Sequence, residues 1–337
     1  MRNAEKKPIT LNKDSAKQLG RALTGEYSFV LSFIVLLFIG AAVNPNFFTW
    51  GNISNLFVQG CMIGLIAMGM TMVIGAGLID ISVGSQVAML GGFGIWVLNA
   101  TNSVLIMLLF CIAGGLVIGL INGLLVTKGG MPPMVATLAT MSAARAIINY
   151  YGAGGPFTVS RENYDSFRKI AVGGIQITED FKIPTLMIIL VAAAVIVFDI
   201  VMKKTALGKH IFAVGSNEKS ARLSGINVHN VKIATYMITG AMCGIASLIY
   251  ASRMTAVASA SAANGWEMDA IAAVAIGGTS MTGGRGKIMG TFLGVLMFRI
   301  ISNVLTVADI SSYLNGAISA AIIVLAVLMQ NFQNKRR

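Results

Sequence analysis

Few side chains in this 337-residue sequence are arranged in a way that could support catalysis. His210 and His229 have no carboxylate pair or cysteine beside them, and the motifs H-E-x-x-H and G-x-S-x-G are absent. The segment 283–287, Gly-Gly-Arg-Gly-Lys, comes nearest to a phosphate-binding loop, but Met281 and Ile288 stand where glycine and a hydroxyl residue are needed. The three cysteines stand apart in apolar stretches. We therefore expect no enzyme, no ATP site, no metal site and no cofactor.

Charged and polar residues within or beside apolar stretches are the other candidates for chemistry. A charge in a membrane is costly, so such residues are functional hypotheses by default. Arg145 could line a pathway, or it could have a structural role in which it caps backbone carbonyls or pairs with a carboxylate. No acidic residue lies deep in an apolar stretch, as an ion-coupled carrier would require. The candidates for a transport pathway or its gate are Asp80, Ser82, Arg145, Glu267, Asp269 and Tyr313.

The composition excludes a water-soluble protein. Only 11% of the residues are charged and 55% are hydrophobic, whereas soluble domains carry about 25% charged residues. A net charge of +12 would suit nucleic-acid binding, but the basic residues are scattered between apolar blocks. We predict an all-α polytopic membrane protein that lies in a lipid bilayer and binds no nucleic acid.

About ten apolar segments are candidates for transmembrane helices, which need roughly 20 residues each. The eighth segment is short and flanked by glycine. The predicted spans are Tyr27–Val43, Leu56–Leu78, Val83–Leu98, Val104–Val126, Pro133–Tyr151, Pro184–Met202, Ile233–Ala251, Ala270–Met281, Ile288–Val307 and Leu314–Gln330.

The basic residues orient these spans because Lys and Arg are enriched in cytoplasmic loops. With ten spans and both termini in the cytoplasm, 18 of the 25 basic residues lie inside and five lie outside. This predicts a cytoplasmic leader (1–26), a single transmembrane domain (27–330) and a cytoplasmic tail (331–337). The loop 203–232 then faces the cytoplasm. The loop 152–183 faces outside, where it is either an interaction surface or a plain connector.

Glycines recur at intervals of four residues in several spans, and such small faces let helix backbones approach closely. The spacing indicates tight packing within one chain or a contact with a second copy. The segment Val73–Gly92 also resembles Ala275–Gly294 at an offset of 202 residues, which hints at two related halves. The glycine sets are Gly60 and Gly64; Gly115, Gly119 and Gly123; Gly240 and Gly244; and Gly286, Gly290 and Gly294.

The loop 203–232 contains a short predicted helix. Ser216 or Asn217 can cap its start, Glu218 favours its first turn, and Gly225 can end it. About two turns are too short to be stable alone. The helix with its apolar flanks suits docking into the groove of a partner, although it could instead fold onto its own membrane domain. The apolar flanking residues are Ile211, Phe212, Val214, Leu223 and Ile226.

Three stretches carry a family resemblance. Gly77–Gly84 (GLIDISVG) is close to the pattern I-D-L-S-V-G, and Gly208–Ile226 is close to G-[RK]-x-I-[YF]-A-[VI]-G-x-N-x-x-A-A-[RK]-x-S-G-I, with Ser220 at the first of its two alanines. Glu267–Thr291 is close to E-L-D-A-I-A-A-x-x-x-G-G-T-S-x-x-G-G-x-G. In order and spacing these motifs resemble the permease subunits of bacterial ABC monosaccharide importers of the ribose, galactose and xylose type. The similarity extends over nearly the whole chain.

The resemblance implies a non-catalytic permease of the bacterial inner membrane that pairs with a second copy or a paralogue around the pathway. It implies two other partners, a cytoplasmic ATPase subunit and a periplasmic or lipid-anchored sugar-binding protein. The helix near Ser216–Ser224 would be the coupling helix that docks on the ATPase. The residues assigned to this coupling are Gly208, Gly215, Ser216, Asn217, Glu218, Ala221, Arg222, Leu223, Ser224 and Gly225.

The implied function is ATP-driven import of a monosaccharide or similar small polyol. The alternatives are a stand-alone secondary sugar carrier and a structural or assembly membrane protein. Relatives often show S-x-Y-W-Q ahead of the last span, whereas Ser311–Asn315 keeps Tyr313 and replaces Trp-Gln with Leu-Asn. The sugar preference is therefore not carried over. Substitution of Glu218 or Arg222 is expected to weaken docking of the ATPase and leave the permease folded.

Overall fold

A computed structural model of the chain describes residues 28–43, 45–178 and 181–307 and the single positions 314, 317, 320, 321 and 324. Helices dominate the described part. They are α1 (Ser28–Val43), α2 (Trp50–Gly75), α3 (Val83–Thr101), α4 (Val104–Thr127), α5 (Pro133–Gly152), α6 (Arg161–Val172), α7 (Thr185–Lys204), α8 (Ala206–Ser216), α9 (Glu218–Leu223), α10 (Val228–Met254), α11 (Trp266–Ile276) and α12 (Ile288–Val307). The strands are β1 (Pro156–Thr158), β2 (Ile175–Thr178), β3 (Phe181–Ile183) and β4 (Ala256–Ala258).

Six of the described helices, α2, α3, α4, α7, α10 and α12, are long and apolar enough to cross a membrane. Nine of the ten predicted spans coincide with described helices. Three of these helices, α1, α5 and α11, are not both as long and as apolar as the six that could cross a membrane. The tenth predicted span, Leu314–Gln330, lies mostly outside the described residues. The number of about ten therefore stays a prediction.

Helix α2 is the centre of the bundle. From Gly60 to Gly75 every residue is buried, and the helix contacts α7, α10, α11 and α12. In contrast, α4 and α7 expose large apolar side chains such as Leu109 and Ile196 along one side. Exposed apolar surface of this kind suits contact with lipid chains. The two types of helix are consistent with a bundle whose interior is α2 and whose periphery faces the bilayer.

The contact between α4 and α10 depends on glycine. A side chain on Gly115 would collide with the backbone of Gly240, and a side chain on Gly240 would collide with the backbone of Gly115. Gly244 likewise lies against the carbonyl group of Cys111. Glycine at these positions lets the two backbones touch without a side chain between them. These glycine faces therefore pack within one chain, which was the first of the two interpretations of their spacing.

Helices α2 and α11 end in the same way. After α2, the amide of Gly77 donates to the carbonyl of Ile74, and after α11 the amide of Gly278 donates to the carbonyl of Ala275. Both glycines have a positive φ, +75° and +82°, as such helix ends require. Gly77 and Gly278, which occupy the same position at the two helix ends, are 201 residues apart. The sequence comparison aligned the two segments at an offset of 202 residues. We call the segment 76–82 the first break and 277–287 the second break.

The eighth predicted span, Ala270–Met281, is a broken one. Helix α11 begins earlier, at Trp266, and ends at Ile276, because the glycine-rich second break follows it. At about 1.5 Å per residue its 11 residues reach only about half of the hydrocarbon thickness. The strand β4, paired antiparallel with β1, and an irregular segment 259–265 precede it. Within the hydrocarbon region of a membrane, irregular backbone is tolerated where it lines a cavity or is buried in protein.

The segment 152–183 is structured, which the sequence analysis did not predict. It holds β1, helix α6 and a β2–β3 hairpin. Helix α6 packs its apolar side on the end of α10, where the Ser252 hydroxyl donates to the carbonyl of Phe167 (2.6 Å) and accepts from the amide of Ala171 (3.0 Å). Its charged residues face outward, and they are Arg161, Glu162, Asp165, Arg168 and Lys169.

Candidate functional site

One side of α5 forms a wall of a cleft of about 460 Å³, which we call the polar cleft. Met141, Arg145 and Asn149 are spaced by four residues, so they lie along the same side of the helix. The start of α3 and the entry to α11 complete the wall. The cleft brings together Arg145 and Glu267, two of the predicted pathway candidates. Its lining residues are Ser85, Met141, Ser142, Arg145, Ala146, Asn149, Asn264 and Glu267.

The guanidinium group of Arg145 holds the irregular segment before α11. Its Nη1 atom donates to the carbonyl oxygens of Ser259 (3.1 Å) and Ala262 (2.9 Å). Carbonyl capping was one of the two roles considered for this residue, and the geometry confirms it. The Nη2 and Nε donors have no hydrogen-bond partner among the described residues and lie beside the cleft. Arg145 therefore both shapes the cleft and lines it.

Glu267 belongs to the first turn of α11 and faces the start of α3. A side chain on Gly84 would come within 2.6 Å of Glu267 Oε2 and 2.5 Å of the carbonyl oxygen of Ala263. Glycine at position 84 therefore allows α3 to approach the carboxylate directly.

Asp269 is not among the residues that line the cleft. The carboxylate of Asp269 forms an ion pair with the guanidinium group of Arg299 on α12, and both side chains are largely buried. This pair joins α11 to α12 and gives Asp269 a structural partner. Tyr313 lies outside the described residues.

Asp80 and Ser82 occupy the first break and are fully buried. Asp80 Oδ1 accepts hydrogen bonds from the amide (2.8 Å) and hydroxyl (2.5 Å) of Ser82, and Asp80 Oδ2 accepts one from Asn122 Nδ2 (3.5 Å). Asn122 on α4 accepts a 2.7 Å hydrogen bond from the hydroxyl of Thr140 on α5. The Ser82 hydroxyl also accepts from Gln86 Nε2 at 2.8 Å. This network ties the first break to α3, α4 and α5.

The short helix predicted in the loop 203–232 is present as α9. Asn217 caps it by accepting a 2.9 Å hydrogen bond from the amide of Ser220, Glu218 lies in its first turn, and Gly225 follows it with φ of +81°. Ser216 is instead the last residue of α8. Leu223 is 89% exposed, the highest value among the described large hydrophobic residues. The surface of α9 thus presents an apolar side chain next to the charged Glu218 and Arg222 on the same short helix.

Helix α8 packs against the chain itself. Ile211 and Val214 are buried against the chain itself, and Phe212 lies against Gly75. A side chain on Gly215 would collide with the carbonyl of Gly75, and one on Gly208 would collide with carbonyls at the end of α7. Glycine at position 215 allows α8 to pack closely under the first break, and glycine at position 208 allows it to pack against the end of α7. A loop helix folded onto its own membrane domain describes α8, whereas α9 stays exposed.

Glu218 forms ion pairs with two basic residues at the surface of α9. Its Oε2 accepts a 2.8 Å ion-pair hydrogen bond from Lys232 Nζ at the start of α10, and its Oε1 lies 3.4 Å from Arg222 Nη2. The hydrogen bond from Lys232, with the positive charges of Lys232 and Arg222, lowers the pKa of the Glu218 carboxyl below its usual 4.5. Glu218 therefore connects α9 to α10 while part of its side chain stays in solvent.

Sequence reasoning missed four polar residues of the cleft, Ser85, Ser142, Asn149 and Asn264. A signal for Asn149 was available, because it follows Arg145 by four residues on one helix. Ser85 and Asn264 reach the cleft only through the tertiary contact between α3 and the entry to α11. Among the described residues, no group of three or more His, Cys, Asp or Glu side chains is placed to hold a metal ion.

The family comparison identifies this bundle. The model of the family described as "Branched-chain amino acid transport system / permease component" matches residues 52–327. The chain belongs to this family. It is a permease component, the non-catalytic membrane part of a transport system, and its apolar helices fit a multi-pass protein of the bacterial inner membrane.

Named relatives of this permease cover nearly its whole length. The ribose import permease protein RbsC of Haemophilus influenzae is 36% identical over 97% of the chain and 99% of its own length. The ribose import permease protein RbsC of Bacillus subtilis is 40% identical over 89% of the chain and 90% of its own length. An L-arabinose ABC transporter permease protein, AraH of Azospirillum brasilense, is 29% identical over 94% of the chain and 90% of its own length. No solved structure gives a significant match.

Proposed function

We propose that this permease is the translocation subunit of an ATP-driven importer that moves a monosaccharide or similar small polyol into the cytoplasm. The observation that carries the proposal is the similarity to ribose import permeases over almost the full length of both chains. The family description names branched-chain amino acids, but the similar proteins that carry substrate names transport ribose, arabinose and galactose. A sugar is therefore the favoured class of substrate.

The ATPase subunit docks on α9. Leu223 supplies an apolar anchor that is 89% exposed, and it lies on a hydrophilic loop helix where lipid does not cover it. A few apolar anchors with charged neighbours are typical of an interface centre and rim. Behind α9, helix α8 packs on the first break through Gly215 and Phe212. Movement of the docked ATPase would thus reach the membrane helices by direct contact.

The topology follows the distribution of basic residues. Ten spans place both termini, the loop 203–232 and the second break in the cytoplasm, and they place the segment 152–183 outside. Residues 27–330 form one transmembrane domain between the leader 1–26 and the tail 331–337. Two permease copies, or this chain and a paralogue, enclose the pathway. The charged outer side of α6 faces the sugar-binding protein.

A stand-alone secondary carrier is the second candidate, and it is not favoured. An ion-coupled carrier needs a carboxylate that is free to bind its ion in the membrane. The buried carboxylate of Asp80 is hydrogen-bonded by Ser82 and Asn122, and that of Asp269 pairs with Arg299. Glu267 lines the cleft together with the positive charge of Arg145. The family assignment also makes the chain one component of a larger system.

Uptake by reconstituted vesicles tests the proposal. The permease, its ATPase and its binding protein are placed in proteoliposomes with radiolabelled ribose and other monosaccharides. We expect uptake that needs ATP and the ATPase and that survives collapse of the proton gradient. Uptake by the permease alone, abolished by a protonophore, would establish the carrier instead. Transport of leucine and of no sugar would contradict the substrate class.

A further inference from the structure

The polar cleft contains side chains that neither helix packing nor ATPase docking requires. Six of its eight lining residues are polar or charged, and Met141 and Ala146 are the two apolar ones. Its volume of about 460 Å³ lies within the range of small-molecule sites, about 300–1,000 Å³. Ser142, Ala146 and Asn264 are exposed, so the cleft is open, and its polar groups suit a polar ligand.

The hydrogen-bonding capacity of the cleft is only partly used. Glu267 brings carboxylate oxygens to the wall, and an ionised carboxylate can only accept hydrogen bonds. Arg145 uses Nη1 for the carbonyls of Ser259 and Ala262, and its three other N–H donors, on Nη2 and Nε, have no described partner. The cleft therefore offers both acceptors and donors. A hydroxyl group is the ligand group that can satisfy either kind, because it donates and accepts.

The charges of the cleft favour a neutral ligand. Arg145 and Glu267 bring one positive and one negative group to its wall, so the cleft carries no net charge to attract an anion or a cation. A zwitterionic amino acid with a branched aliphatic side chain would pair its charges with these groups, but it would also need an apolar pocket. Met141 and Ala146 are the two apolar side chains that the lining offers.

We infer that the polar cleft is a recognition subsite for a neutral polyhydroxylated ligand, with a monosaccharide as its class. Arg145 and Asn149 Nδ2 each donate to a ligand hydroxyl, and Glu267 accepts from another. The subsite rests on the proposed function, since the ligand is the transported sugar. It adds a selection step within the permease, beyond the choice made by the binding protein.

Thiol labelling tests this subsite without measuring transport. The native cysteines, Cys61, Cys111 and Cys243, are all buried, so Ser142→Cys introduces an accessible thiol in the cleft. Thr306→Cys, on the exposed side of α12, is the matched control. With the permease in membrane vesicles, we expect millimolar ribose to slow labelling at position 142 several-fold and to leave position 306 unchanged. Equal labelling with and without ribose and other monosaccharides would overturn the inference. Protection by leucine and by no sugar would assign the cleft to a zwitterion and would also overturn it.

Transport with a saturated binding protein provides the second readout. Because the binding protein is loaded with each sugar, any change in the ratio of uptake rates must come from the permease. We expect Asn149→Ala and Glu267→Gln to lower maximal uptake about tenfold and to change the ratio between ribose and arabinose, while Thr306→Ala changes neither. Wild-type uptake rates and ratios in both cleft variants would refute the subsite. A wild-type permease that imports no sugar would instead refute the proposed function, so the two failures are distinct.

Discussion

The backbone amide of Gly284 donates a 3.0 Å hydrogen bond to the carbonyl oxygen of Gly75. This bond joins the second break directly to the end of α2, where the first break begins. Gly215 of α8 lies against the same carbonyl group and next to the amide of Gly284. Three segments that are far apart in the sequence therefore meet at one point. A displacement of α8 must be accommodated by both breaks because their backbones are in contact.

Replacement of Gly215 by alanine tests this junction. The new methyl group would overlap the backbone of Gly75 and Gly284, which cannot move independently. We expect a loss of about 1–3 kcal/mol in stability, the usual cost of overpacking, seen as a lower midpoint in thermal unfolding of the purified permease. Gly51→Ala is the control, because that helical glycine has open space around it and alanine favours a helix. An unchanged midpoint for Gly215→Ala would show that the junction is loose.

The network around Asp80 gives a second prediction about stability. Asn122→Ala removes the donor to the buried Asp80 Oδ2, and it also removes one acceptor of the half-buried Thr140 hydroxyl. We expect a cost of about 1–3 kcal/mol. Asn122→Asp should cost more because it places a second carboxylate beside Asp80. Thr101→Ala, at an exposed position on α3, should stay within about 0.5 kcal/mol. The network would be unimportant if Asn122→Ala unfolded at the wild-type temperature.

The ion pairs of Glu218 predict a dependence on pH. Lys232 and Arg222 lower the pKa of the folded carboxyl below its usual 4.5, so the charged form is favoured in the folded protein. The stabilisation is therefore fully present above pH 4.5 and is lost as the pH falls through the lower folded value. Partial exposure limits it to roughly 0.2–1 kcal/mol.

The comparison of the wild type with Glu218→Gln measures this effect. The difference in thermal midpoint should be present at pH 7 and should shrink as the pH falls below 4.5. Moderate salt should reduce the difference at pH 7, because exposed charges are screened. If the difference in thermal midpoint stayed constant down to low pH, the effect of Glu218→Gln would not come from the loss of the carboxylate charge, and the prediction would be wrong.

The helices were largely predictable, whereas the site was not. Long apolar runs determined the ends of α4 and α12 because burial in lipid depends on local composition. Helix α8 was missed because Gly208 and Gly215 resemble loop residues in sequence. Their role depends on carbonyl groups of α7 and α2 that only the fold brings near. The polar cleft was missed as a unit for the same reason, since Arg145 and Glu267 meet only through the irregular segment that Arg145 itself holds.

Leu223 gives the most direct test of ATPase docking. Leu223→Ser removes the exposed apolar anchor from α9 and breaks no contact that holds α9 to the bundle, because the side chain is 89% exposed. We expect at least a tenfold loss of ATPase affinity, since an apolar anchor at an interface centre contributes about 1.4 kcal/mol or more. Co-purification of the ATPase with the tagged permease and titration in detergent both measure the loss.

The matched control is Leu105→Ser, which changes an equally large side chain that is 64% exposed at the start of α4. That position lies at the opposite end of the bundle from α9, so the control should retain the ATPase at the wild-type level. Both variants should unfold near the wild-type temperature because neither side chain is buried. Arg222→Ala should weaken docking less than Leu223→Ser, since a charge at the rim of an interface contributes little. Wild-type retention of the ATPase by Leu223→Ser would exclude α9 as the docking surface, because no other residue of this short helix presents a large apolar side chain to solvent.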